Sequence, residues 1–546
     1  MKTKHILLGL SLGLLGGFTA CDVTDLDPKD SITDNSYWNT VSDLENYAKG
    51  FYMNLTGKGL RSDGSENLDD LNALDERSDD RLVASPDQWL FNEWVIPSEA
   101  NFDSKWYWNN IRNLNYFMTR YQRVNATESE VNPVVAVIRF FRAFDYFDKI
   151  KTFGDVPWYE KDLTTADIDE LYKARDDRDF VLGKIIEDLE FAIEWLPEKS
   201  AAEVGALHKD AARTFLARVC LHYGTYKKYH NVSTSPTSQE LLQKAATLAK
   251  EVMDSGLYDI VQGSDAGANQ SAFADYPLYY ANQFTQEDLT TNKECILARV
   301  FEADVLTHNL ARSGGVGLSK DFAESFLCKD GLPIANSSEY KGDETLDDEM
   351  ANRDPRMYQI IDSKYRPYTV KSNGMRVVNS GIDDKKEFSP SEEPGTNVHS
   401  APGLTGTATG YSPIKLVSAS QSQQDAVKTS SYDWFVFRYA EILLIYAEAK
   451  CELGECTQAV LDETINKLRD RVEMKHLTVS PVADLNPVDY GYSITPLLYE
   501  IRRERRIELA LEGFRYDDIM RWNAMKLFEN PKTYPVSYTH LTLPTT

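Results

Sequence analysis

A mostly α-helical scaffold of paired helices, carrying a long irregular region with short strands, is the fold class this sequence predicts. Apolar residues recur at helical spacing over both flanks of the chain. Residues 262–292 and 362–431 lack sustained periodicity and are rich in Gly, Ser, Thr, Asn and Pro. Stretches of that length are uncommon in a compact fold unless they carry function or are disordered. Residues 437–453 and 457–471 read as two helices joined by Leu453-Gly454-Glu455, with small residues at Ala447, Gly454 and Ala459 that permit close approach. Such a pair matches one tetratricopeptide unit in length.

In chain order, residues 34–55 predict a helix with Trp38, Leu44, Tyr47 and Phe51 on or near one face, and residues 106–121 repeat the pattern. Residues 134–153 place Phe140, Phe141, Phe144 and Phe147 at helical spacing beside Arg139 and Arg142. Residues 179–195 form an amphipathic helix stopped by Leu196-Pro197. An alanine-rich helix follows at 210–223, and another at 240–254 is closed by Ser255-Gly256. Residues 294–301 are short and apolar enough for a strand.

The most informative stretch is 498–522, LYEIRRERRIELALEGFRYDDIMRW. It predicts a helix over 498–512 with Gly513 as its C-cap. Glu500, Glu504, Glu508 and Glu512 form one row at i,i+4, and Arg502 and Arg506 form another. Like charges at that spacing repel by roughly 0.2–0.5 kcal/mol per pair. Only Glu500–Arg503 and Arg505–Glu508 help locally. The carboxylate row is therefore expected to meet cations from elsewhere, with Arg438, Arg469, Arg471 and Arg515 as the candidates.

Composition narrows the function. The net charge of −26, from 59 basic and 85 acidic residues, argues against a nucleic-acid partner, whose phosphates call for a basic patch. At the start, Lys2 and Lys4 precede an apolar run over 6–17, then Phe18-Thr19-Ala20-Cys21. A basic n-region, a short apolar core and small residues before a cleavage point read as a signal peptide over 1–20; the cysteine that follows resembles a lipobox, which implies a lipoprotein signal peptide with Cys21 as the lipidated N-terminus, an ordinary secretory signal being the alternative. Phe18 departs from the Leu usual in such a lipobox. The remaining cysteines, Cys220, Cys295, Cys328, Cys451 and Cys456, are odd in number, so no disulfide framework is expected.

No HExxH, GxSxG or Walker A pattern occurs, and the histidines do not pair at metal spacing on one helix. No catalytic residue, metal or cofactor is assigned. Acidic residues at Asp75-Glu76 and Asp79-Asp80 read as a solvated or sugar-binding loop, with a two-carboxylate glycosidase as the alternative. Sugar capture uses flat aromatic faces against pyranose C–H faces, with polar side chains for the hydroxyls. Residues 75–94, DERSDDRLVASPDQWLFNEW, combine these types, and Asp80, Trp89, Asn92 and Trp94 are the leading ligand candidates. A second candidate loop at 306–313 offers His308, Asn309 and Arg312. Tyr276, Tyr279, Tyr280 and Trp434 read as structural.

Several collinear segments carry a family resemblance. They are the lipobox at Cys21; Tyr37-Trp38-Asn39-Thr40; RFFRAFDYFDKIKTFGDVPW from Arg139; and IIEDLEFAIEWLP from Ile185. They continue with ALHKDAARTFLARVCLHYG from Ala206, NRDPRMYQI from Asn352, FRYAEILLIYAEAKCELGE from Phe437, and the Arg/Glu block ending DDIMRW. Together they resemble the SusD/RagB family of nutrient-capturing outer-membrane lipoproteins. The resemblance implies a single SusD-like body over 21–535, with an N-terminal half at 21–230 and a C-terminal RagB/SusD half at 290–530. It implies a non-catalytic lid facing the cell exterior that passes an oligosaccharide to a SusC-type TonB-dependent transporter. Peptide capture on the same scaffold and, less favoured, a surface glycosidase are the alternatives. The closing residues 536–546, VSYTHLTLPTT, depart from the family's Asn- and Gln-containing tail and resemble a translated adapter read-through.

Overall fold

The computed structural model of the chain describes residues 34–55, 75, 77–82, 95, 106–261, 277–308, 317–363, 369–370, 376–377, 409, 411–418, 420, 423 and 430–529. Helices dominate them. The helix expected over 34–55 is broken: a turn at Asp34–Tyr37 is followed by α1 (Val41–Lys49) and a 3-10 turn at Gly50–Leu55. The break falls at Thr40, whose side chain and that of Asp43 form a reciprocal capping box, so α1 starts afresh there. Asp34 stays fixed by Trp38 Nε1 at 3.0 Å and by Tyr116 and Arg120 at 2.7 and 2.6 Å. Those last two hold the segment to α2 (Asn109–Met118).

Helix α3 (Glu128–Phe153) begins earlier than expected because Thr127 and Glu130 form another capping box. It packs on α4 (Arg178–Trp195), where Arg139 and Arg142 both grip Asp188 at 2.6–2.8 Å. Helix α5 (Lys209–Tyr229) lies between α4 and α6 (Ser238–Asp254). The α5–α6 approach depends on Gly224, where a Cβ would come within 2.9 Å of Leu242 Cγ. Helix α7 (Tyr439–Glu452) stacks on α6 and leads to α8 (Gln458–Glu463) and α9 (Ile465–Arg471). The helix expected over 457–471 is thus split at Thr464, whose φ of −129° and ψ of −91° leave the helical region. Its hydroxyl donates instead to the Val460 carbonyl. Next come α10 (Pro496–Glu508) and α11 (Arg515–Arg521).

Strands are few and short. β1 (Arg81–Leu82) pairs with β3 (Gly317–Leu318), β2 (Cys295–Arg299) with β6 (Trp434–Arg438), and β4 (Thr369–Val370) with β5 (Arg376–Val377), each antiparallel. The strand expected near 294–301 is therefore present. Phe437 and Arg438, expected to open a helix, finish β6 instead, with Arg438 paired to Cys295. One apolar core fills the helix pairs, centred on residues such as Phe140, Phe215, Leu444 and Ile501. A second lies under the irregular side, around Tyr280, Phe322, Phe326, Tyr411 and Tyr432. A small third core surrounds Trp522.

Helix α10 runs between the first two cores and carries its charges with it. Glu504 meets Arg469 at 2.9 Å and Arg356 at 2.7 Å. Glu508 meets Arg471 at 2.5 Å, Arg438 at 2.8 Å and Arg356 at 3.0 Å. Glu512 meets Arg438 at 2.7 Å and Lys415 at 2.5 Å. Arg438, Arg469 and Arg471 thus serve the row as expected, and Arg356 joins them. Arg515 does not; it turns to Asp79 at 2.7 Å. Glu500 keeps its local partner Arg503 at 3.3 Å. Arg505 abandons Glu508 for Asp518 at 2.8 Å. Burial opposes the charge on Glu508, yet Arg471, Arg438 and Arg356 outweigh it and hold its carboxyl far below the usual carboxylate range.

These cations also end the helix. Arg438 Nη2 and the Tyr280 hydroxyl both donate to the Glu508 carbonyl, and Lys415 Nζ to that of Ala510. With its last carbonyls taken by side chains, α10 stops at Glu508 rather than at Glu512, and Leu511 and Gly513 adopt positive φ. Removing one member of such a buried set strands the rest. Glu508→Ala is expected to cost about 3–5 kcal/mol, read as a lowered denaturation midpoint; a loss under about 1 kcal/mol would contradict the arrangement.

Candidate functional site

Ends of several irregular segments singled out in the sequence are joined to one another. β1, from which residues 83–94 depart, pairs with β3, where residues 309–316 end, in the register Arg81–Leu318 and Leu82–Gly317. Leu318 N donates to the Tyr411 carbonyl and His308 N to the Ser430 carbonyl, both at 2.8 Å. Asp362 N donates to Ser412 O, and Ile414 N returns the bond to Ile360 O, again at 2.8 Å. Ser430 and Ser431 in turn bond to Gln423. Backbone bonds thus join the chain at 82, 317, 363 and 411 in one set and at 308 and 430 in another, with Gln423 held by side-chain bonds and the Tyr432 hydroxyl donating to the Leu416 carbonyl at 2.9 Å between the two sets. The second core packs beneath this platform.

A clamp of buried charges fastens this platform to α10 and α11. The Arg515 guanidinium binds both oxygens of Asp79 at 2.7 Å. Arg506 reaches Asp80 at 2.6 Å and Asp321 at 2.8 Å. Asp75 accepts backbone N–H bonds from Arg515 at 2.9 Å and Gly513 at 3.3 Å. Ser319 completes the joint, its N–H donating to Asp80 O and its hydroxyl to Asp79 O. Burial, reinforced by the negative charge of Asp80, pushes the Asp75 carboxyl up to about 7. Burial also works to raise Asp79, but Arg506 and Arg515 outweigh it and hold that carboxyl below its ordinary range.

Placement of the candidate residues divides them. Asp80 is 2% exposed and His308 1%, so both are corrected from ligand contacts to internal supports. Asp80 is claimed by Arg506. His308 donates from Nε2 to the Tyr432 carbonyl at 2.9 Å and meets the Phe301 and Tyr432 rings edge-on. Burial lowers its imidazole to about 4, so it is neutral at physiological pH. The acidic cluster at Asp75, Asp79 and Asp80 is likewise neither solvated nor sugar-facing, because arginines and backbone N–H groups occupy it. Trp89, Asn92, Trp94, Asn309 and Arg312 lie outside the described residues, as do Cys21 and the 536–546 tail. Tyr280 is buried in the second core and half-buried Trp434 packs against it, both as expected. The sequence reading missed the clamp; its available signal was the surplus Arg506, which has no acidic neighbour on its own helix.

The described residues form paired helices beneath short strands and loop ends, and comparison with known proteins gives the family. The family model described as the SusD family matches residues 263–545, and one described as starch-binding associating with outer membrane matches 27–221. The chain belongs to the SusD family. The curated SusD-like protein P2 of Formosa agariphila is 23% identical over 95% of this chain and 90% of its own length. SusD-like protein P38 of the same organism is 22% identical over 96% and 92%. Among solved structures, a SusD-like carbohydrate-binding protein of Bacteroides fragilis superposes with a TM-score of 0.65 at 22% identity, covering 90% of this chain and 88% of the other. Another structure, solved with xylogluco-oligosaccharide, gives a TM-score of 0.56 at 18% identity, with coverage of 88% and 85%.

The clamp has a pH signature. Asp75 titrates near 7 in the folded chain against an ordinary 3.8. A raised carboxyl contributes stability that is complete below about pH 4 and is lost as pH rises through 7. Asp75→Asn removes that dependence. Urea unfolding between about pH 5 and pH 8 is expected to show wild-type stability falling relative to the variant, by up to about 1.4 kcal/mol per pH unit. A constant difference across that range would contradict it.

Proposed function

We propose that this protein is a lipid-anchored glycan-binding member of the SusD family. In this reading it captures an oligosaccharide at the outer cell surface without cleaving it and delivers it to a SusC-type TonB-dependent transporter. The observation that carries the reading is the β1–β3 pairing, which sets the start of 83–94 beside the end of 309–316. In this reading Trp89, Asn92, Trp94, Asn309 and Arg312 contact the ligand. Aromatic faces and amide or guanidinium donors rooted on a rigid base suit a pyranose chain. Membership of a carbohydrate-binding family and the oligosaccharide in a relative of the same fold support this class of ligand. In this reading Cys21 supplies the anchor.

The test is a polysaccharide and peptide array, with hits confirmed by calorimetry and product analysis. One polysaccharide class is expected to bind and to emerge uncut. Trp89→Ala and Trp94→Ala should each weaken binding at least tenfold, about 1.4 kcal/mol, with an unchanged thermal midpoint. Binding of peptides alone, or release of shorter glycan products, would overturn the reading. Separately, Cys21→Ala is expected to move the protein from the membrane to the soluble fraction and to abolish palmitate labelling; a labelled, membrane-bound variant would refute the anchor.

A further inference from the structure

Helix α7 ends in a closed turn that brings two cysteines together. Gly454 takes a φ of 74°, a backbone setting that favours glycine. Its N–H donates to the Cys451 carbonyl at 3.0 Å, and the Glu455 N–H reaches back to the Lys450 carbonyl at 2.8 Å. The side chains of Lys450 and Glu455 pair as ions across the same turn. The chain therefore reverses over 452–455, and Cys456 returns to the side of Cys451. There the two thiols meet, and Cys451 donates a hydrogen bond to the Cys456 sulfur. Both are free, half-buried and packed against the first core.

Both sulfurs stand on anchored backbone. Glu452, next to Cys451, is buried; Lys228 Nζ donates to its carbonyl at 2.7 Å and Arg502 to its carboxylate at 3.1 Å. Thr457, next to Cys456, caps α8 by accepting from the Val460 N–H. Cys220, Cys295 and Cys328 differ. They are buried, and burial raises each thiol, the first two to about 12. Thiols held in the protonated form are poor nucleophiles. At Cys456 the hydrogen bond from Cys451, helped by Lys450, outweighs burial and holds the thiol below its ordinary value. The same bond keeps the proton on Cys451.

We propose that Cys451 and Cys456 are a modification site, joined into a disulfide by exchange with a small-molecule or protein disulfide, with Cys456 the attacking thiol. The Cys456 thiolate attacks one sulfur of the oxidant, forming a mixed disulfide and releasing one thiolate. Cys451 then attacks the Cys456 sulfur and releases the second. The two protein thiols are oxidised, the oxidant's disulfide is reduced to two thiols, and the protons of Cys451 and Cys456 pass to the leaving sulfurs. The bond ties the end of α7 to the start of α8, the segment that leads to Arg469 and Arg471. It leaves the three buried cysteines as thiols, in keeping with their odd number. The inference is independent of the ligand and of the anchor.

The full-length protein in detergent, reduced, freed of reductant and then held in oxidised glutathione, tests it. After acid quenching, alkylation and trypsin, both cysteines fall in one peptide, Cys451–Lys467. That peptide is expected unalkylated and about 2 Da lighter than its dithiol form, while Cys220, Cys295 and Cys328 are fully alkylated once the chain is denatured. Cys451→Ser should trap glutathione on Cys456, and Cys456→Ser should acquire it on Cys451 about tenfold more slowly. The wild-type peptide carries the result should either variant not fold. Alkylation of both Cys451 and Cys456, a lasting glutathione adduct on the wild-type peptide, or a bridge to one of the buried cysteines would each overturn the site. Equal rates in the two variants would overturn the assignment of Cys456 as the attacking thiol.

Discussion

The buried carboxylate row of α10 is the interaction on which the other parts depend. An unpaired charge at these depths costs several kcal/mol, so each glutamate needs its cation and each cation must come from a different part of the chain. Arg356 arrives from the irregular side, Arg438 from the end of β6, Arg469 and Arg471 from α9. Satisfying Glu504, Glu508 and Glu512 therefore sets the positions of the helix pair, the small sheet and the second core together. Arg438 also takes the Glu508 carbonyl, together with the Tyr280 hydroxyl, and Lys415 takes that of Ala510, so the helix ends where the ladder needs it to end.

A second charge set extends that logic to the candidate site. Arg506 and Arg515 flank the α10–α11 turn and reach out to Asp79 and Asp80 at the root of β1. The platform is thus attached to the helical body by ions, with backbone bonds joining β1, β3 and Tyr411, and others joining His308 to Ser430. Glu448 performs the analogous service on the other side, binding Arg521 bidentately and the Trp522 indole to join α7 to α11.

Much of the scaffold was legible because helical spacing is a local signal. Residues 179–195 and 240–254 read as helices and are helices, and the like-charge row on α10 announced its distant partners. What was not legible depended on contacts remote in sequence. Phe437 and Arg438 look helical, but pairing with Cys295 makes them strand. Thr464 interrupts a helix through its own hydroxyl. Asp80 and His308 carry side chains that suit a sugar as well as they suit a core; only Arg506, and the Tyr432 carbonyl, decide between the two. Arg515 was a correct choice of cation matched to the wrong acid, since Asp79 lies far from it along the chain.

The platform's construction bears on how such a protein can change over evolutionary time. Its joints use main-chain groups of β1, β3 and their neighbours, together with interior aspartates and arginines; those at Leu82 and His308 precede residues 83–94 and 309–316, and that at Gly317 follows the second. Substitution or exchange of the intervening residues leaves the named donors and acceptors of those joints in the sequence. On the proposed reading recognition and foldability are encoded in different residues, and selection can rewrite the first while the second is held constant. The acids at the platform root are where that freedom stops: a change at Asp79 alters the foundation under every segment at once.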